Sequence, residues 1–87
     1  MKIAVYDTYV KKKDGNTMHF DILVPDSMKD TVKIHGFGHD YLATKGQAGQ
    51  PLTSKECRFC HIEQADAAIE QSVNEKGYFI IEMQGCD

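Results

Sequence analysis

Two runs rich in β-branched and aromatic residues, Ile3 to Val10 and Thr17 to Val24, flank Lys13-Asp14-Gly15-Asn16 and together predict a β-hairpin. Asp-Gly between alternating apolar positions is a strong hairpin signal, because glycine takes the positive φ that a tight reversal demands. In the second run Met18, Phe20, Ile22 and Val24 share one face, whereas His19, Asp21 and Leu23 point the other way. A three-residue loop centred on Gly15 would pair Val10 with Phe20 and Thr8 with Ile22, gathering Asp7, Tyr9, His19 and Asp21 on one face. A slip of one residue would dissolve that grouping.

Beyond the hairpin, Pro25-Asp26-Ser27 ends the strand, and Ser27 offers an N-cap with Asp30 in the first turn of a helix running towards Thr44. Gly46 is its stop. The apolar strip of this helix is either Ile34, Phe37 and Tyr41, or Met28, Val32 and Leu42 with His35 and His39 among them. Gly36 and Gly38 imply a break in the helix or a close approach to the sheet. Leu52 to Cys60 reads as a strand, with a capping box of Thr53 and Glu56 as the competing reading. A second helix from about Glu63 to Lys76 is predicted by the spacing of Ala65, Ala68, Ile69 and Val73, with Gly77 at its C-terminal cap. A last strand spans Tyr78 to Met83. The order β-β-α-β-α-β defines an α+β class with a mixed four-stranded sheet and two helices, one domain over residues 1–87.

Composition narrows the function classes. A chain of 87 residues, 41% hydrophobic and 26% charged, is ordinary for one small globular domain. Its net charge of -3 carries no cationic footprint, and the run Lys11 to Lys13 falls on the hairpin tip, so a nucleic-acid partner is not expected. No apolar stretch approaches the roughly 20 residues of a membrane span, and Met1-Lys2 leads directly into a strand pattern instead of a signal peptide. A cytoplasmic location, without a membrane partner, follows as the expectation. Three cysteines without a secretion signal argue against a disulfide framework and for reduced thiols.

The candidate chemistry centres on Cys57-Arg58-Phe59-Cys60-His61, because thiolates three apart converge on one soft metal ion or close a small redox ring. If the last strand runs parallel to the third through a right-handed crossover, Cys86 joins Cys57 and Cys60, and His61, Glu63, His35 or His39 is left to complete a zinc site. The candidate metal residues are therefore Cys57, Cys60, His61 and Cys86, with zinc as the candidate cofactor. The same thiols also read as small hydrophobes on a strand, since cysteine packs well in apolar surroundings. Cys-x-x-Cys-His matches a c-type haem attachment pattern, but without an export signal its context is wrong. A thiol-disulfide role draws on the helix that begins soon after Cys60, although the element order departs from the thioredoxin pattern. His35 and His39 have the i, i+4 spacing of metalloprotease zinc ligands, yet Phe37-Gly38 stands where a glutamate base is needed, and they are left out of the site. Asp7, His19 and Asp21 form a carboxylate and imidazole cluster suited to proton transfer or a hard cation, or else the polar alternation of a solvated sheet face. No nucleophile and base stand together, so an enzyme is the lesser expectation.

The segments Val5-Tyr6-Asp7-Thr8-Tyr9-Val10, Asp14-Gly15, Met18-His19-Phe20-Asp21, Glu56-Cys57-Arg58-Phe59-Cys60-His61, Gly77-Tyr78-Phe79-Ile80 and Gly85-Cys86 resemble the small bacterial family known as domain of unknown function 2024. The resemblance covers nearly the whole chain and implies two helices on a four-stranded sheet. It implies no activity. Cys57, Cys60, His61 and Cys86 fall at positions of the family's pattern, whereas His35 and His39 do not. Two readings of function stand side by side: a metal-binding or thiol-chemistry domain, and a non-catalytic module that offers a protein partner a sheet edge or the Tyr6, Tyr9 and His19 region.

Overall fold

The computed structural model describes residues 1–86. The elements follow the predicted order, β1 (Lys2–Lys11), β2 (Thr17–Pro25), α1 (Thr31–Thr44), β3 (Cys57–Gln64), α2 (Ala67–Lys76) and β4 (Phe79–Gln84). They build a four-stranded sheet in the order β3-β1-β2-β4. All three neighbouring pairs are antiparallel. The parallel β3–β4 contact expected of a mixed sheet is absent among the described residues, because the hairpin takes the centre and α2 carries the chain across both central strands to the far edge.

The hairpin closes one residue earlier along the loop than the sequence predicts. Lys12 and Asn16 bracket the turn through a 2.7 Å bond from Lys12 N–H to the Asn16 carbonyl, and Gly15, at φ +91°, is the last residue of a three-residue loop instead of its centre. The register moves by two as a consequence, pairing Thr8 with Phe20, Tyr9 with His19 and Val10 with Met18. A shift of two preserves every side chain's face.

Alternation then sorts the core into two layers. Ala4, Val10, Met18, Phe20, Ile22 and Val24 face α1 and pack with Ile34, Tyr41, Leu42 and Leu52, while Ile3, Val5 and Leu23 face α2 with Ala65 and Ile69. Helix α1 is capped by Asp30, not Ser27: its carboxylate accepts from the N–H groups of Val32 and Lys33. Its buried residues are Ile34, Gly38, Tyr41 and Leu42, while Val32 is 78% exposed, so the Ile34 strip is the inward one. The helix continues through both glycines. Gly38 is where it touches the sheet, since a Cβ there would run into Leu52 and lie 3.1 Å from Ile22.

The segment before β3 resolves the competing readings. Thr53 and Glu56 form the capping box, with the Thr53 N–H and hydroxyl both donating to Glu56 at 2.7 Å, and the strand begins only at Cys57. That delay pushes the start of α2 to Ala67, where Asp66 caps it, and Gly77 ends it at φ +92°. With ten residues α2 is about 15 Å long, roughly half the span of the ten-residue β1. It covers the Ile3, Val5 and Leu23 end of its face and leaves the other end open. No helix among the described residues is long and apolar enough to cross a membrane.

Candidate functional site

The open end of the α2 face carries Asp7, Tyr9, His19 and Asp21, a polar group on the two central strands. Asp7 and Asp21 are direct cross-strand partners, as are Tyr9 and His19. His19 Nε2–H donates to Asp7 Oδ1 at 2.5 Å, and the side chains are 21% and 35% exposed. The Tyr9 ring stacks on the imidazole, centroids 4.1 Å apart and planes 11° from parallel, which fixes the ring's tilt from the outer side. One ligand atom each from Asp7, His19 and Asp21 lies within 4.8 Å of the others, the sole such trio of His, Cys, Asp or Glu among the described residues.

Two carboxylates facing each other across a strand pair are ordinarily destabilising. The Asp21 carboxyl is pushed up to about 6, first by its partial burial, then by its hydrogen bond with Asp7 and by that neighbour's charge, with His19 and His61 pulling the other way. The Asp21 carboxyl therefore keeps its proton into mildly acidic conditions, hydrogen-bonded to Asp7. A cation between the carboxylates relieves the same repulsion.

The cysteines do not join this group or one another. Cys57 pairs with Thr8 and is buried on the α1 face, where burial raises its thiol pKa. Cys60 is exposed and falls at the register shift between Val5 and Tyr6, a bulge that leaves it without a direct partner on β1. Cys86 is buried beyond the end of β4, on the opposite edge of the sheet, with its thiol donating to the His19 and Gln84 carbonyls at 3.4 Å. The convergence expected of Cys57, Cys60 and Cys86 required β3 and β4 to be neighbours, and the antiparallel sheet separates them by two strands.

His61 pairs with Val5 on the same face as Asp7, and its Nε2–H donates to Glu63 at 2.7 Å while Nδ1 lies 3.2 Å from the Cys60 sulfur. His39 is exposed and His35 half-buried on α1, away from the trio. Tyr6 is separated from Tyr9 and His19 by the sheet itself: it packs on the α1 side, edge-on to Phe59 with centroids 5.7 Å apart. The parity of β1 and β2 was enough to group the trio in the sequence. Tyr9's stacking on His19 needed the true register.

The chain is thus a small α+β fold with one helix on each face of an antiparallel sheet and a carboxylate-imidazole trio at its open end. A family model described as Domain of unknown function (DUF2024) matches residues 1–83, and the chain belongs to that family. The NMR structure of protein NE1680 from Nitrosomonas europaea, a structural genomics target, is similar over 100% of both chains, with 45% sequence identity and a TM-score of 0.85. No curated protein matches the chain.

Proposed function

We propose that this domain is a non-catalytic binding module that holds a divalent cation on Asp7, His19 and Asp21. The observation that carries the reading is the trio itself, three ligand atoms within 4.8 Å of one another on two central strands that fix their spacing. A mixed nitrogen and oxygen donor set suits zinc or manganese, with ligand distances of about 2.0 to 2.2 Å, and three protein ligands leave positions for water or for a group of a bound partner. Binding displaces the proton of Asp21 and breaks the His19 to Asp7 hydrogen bond, so affinity rises with pH through about 6. Tyr9 holds the imidazole in place as the ion arrives.

The test is calorimetric titration of metal-stripped protein with Zn2+ and Mn2+, repeated on Asp21→Asn, His19→Ala and a Cys57→Ser, Cys60→Ser double variant. Saturable binding at one ion per chain, lost in the first two and kept in the third, supports the trio. Binding lost only in the cysteine variant moves the site to the β3 segment of Cys57, Cys60 and His61. Absence of binding in the unaltered protein ends the cation reading and leaves the protein-interaction module.

A further inference from the structure

The outer edge of β3 is a long strand edge with no neighbour among the described residues, and every residue from Arg58 to Gln64 on it is exposed. Phe59 and Ile62 are 55% and 44% exposed, an unusual load of apolar surface for an edge strand that contains neither lysine nor proline. Such an edge is a template for another strand.

We propose that this edge binds β3 of a second copy of the chain, antiparallel about a two-fold axis perpendicular to the sheet, with Cys60 opposite His61 of the partner subunit. The strand's own sequence selects that partner. In this register Arg58 faces Glu63 of the partner subunit and Phe59 faces Ile62 of the partner subunit, and the symmetry repeats both pairs, so each protomer gives and receives one ionic and one apolar contact.

The bulge at Cys60 is what allows this. In a regular strand Arg58 and Glu63, five apart, would lie on opposite faces. Here Arg58 pairs with Asp7 and Glu63 with Ile3, two residues on the same face of β1, and Phe59 and Ile62 share the other face through Tyr6 and Ala4. A perpendicular two-fold keeps faces together, so only registers that match face to face are admissible. Sliding the pair by one residue sets Arg58 against an apolar residue or Phe59 against a carboxylate, each on the wrong face. Arg58 makes no ion pair within its own protomer among the described residues, which leaves its guanidinium available to the partner's carboxylate.

Analytical ultracentrifugation across a concentration series of the full chain, with charge-reversed variants, tests the pairing. The expected result is a monomer–dimer equilibrium that closes at two, weakened about tenfold or more by Arg58→Glu or Glu63→Arg alone and restored to within about threefold by the two together. Circular dichroism of each variant, expected to match the unaltered protein because both positions are exposed, separates weakened pairing from misfolding. A monomer at every concentration up to about 500 µM overturns the proposal. So does a dimer indifferent to the single reversals or not rescued by the double one, and so do assemblies that grow without closing, the mark of β3 pairing head-to-tail with β4.

Discussion

Asp7 and Asp21 stand directly opposite each other across β1 and β2, and the imidazole of His19 closes on the same pair from the next position along β2 on that face. Alternation brings the three together: residues 7, 19 and 21 are all odd, and odd positions of the hairpin face α2. What α2 is too short to cover is left to polar side chains.

The Asp21 carboxyl titrates near 6 in the folded protein against an ordinary 3.8, so the folded state binds this proton more tightly than the unfolded chain does. Its contribution is present in full below pH 4 and is lost as pH rises through about 6. Thermal denaturation of the unaltered protein and Asp21→Asn between pH 4 and pH 8, free of metal, should show the variant gaining relative stability with rising pH, by about 1 kcal/mol after solvent screening is allowed for. A difference that is flat across this range would place the titration elsewhere.

Two glycines of α1 should respond to alanine in opposite directions. Gly36 meets nothing within 4 Å, so Gly36→Ala stabilises by about 0.5 to 1 kcal/mol through helix propensity. Gly38→Ala pushes a methyl into Leu52 and Ile22 and destabilises by about 1 to 3 kcal/mol. Urea denaturation of both variants checks the signs.

Thiol reactivity should separate the three cysteines. Cys60 is exposed on the bulge, whereas Cys57 and Cys86 are 4% and 6% exposed. Brief alkylation of the native protein, read by peptide mass spectrometry, is expected to label Cys60 at least about tenfold faster than the other two, which react fully only in denaturant. Equal rates would mean that the edges of the sheet open readily.

Where the chain's signals are local, the sequence is a good guide. The order of elements, the Gly77 cap and the grouping of Asp7 with His19 and Asp21 all follow from periodicity. The hairpin register does not, because Asp14-Gly15 suits a loop centred on either residue, and only the Lys12 to Asn16 bond decides. The predicted and observed registers differ by two residues, an even number, so the trio shares a face in both. The start of β3 was obscured by Thr53 and Glu56, whose capping box uses residues that read equally well as strand. Convergence of Cys57, Cys60 and Cys86 depended on which strands are neighbours, a long-range choice made by two-sided burial of the hairpin and invisible in the spacing of the cysteines.

The most direct measurement is a paramagnetic one: Mn2+ added in small increments to isotopically labelled protein at pH 7.5, followed through the backbone amide signals. The cation-module account predicts that Asp7, His19 and Asp21 and their cross-strand neighbours broaden first, with Asp21→Asn abolishing the effect. Broadening centred on Cys60, His61 and Glu63, or none at ion concentrations matching the protein, would contradict it.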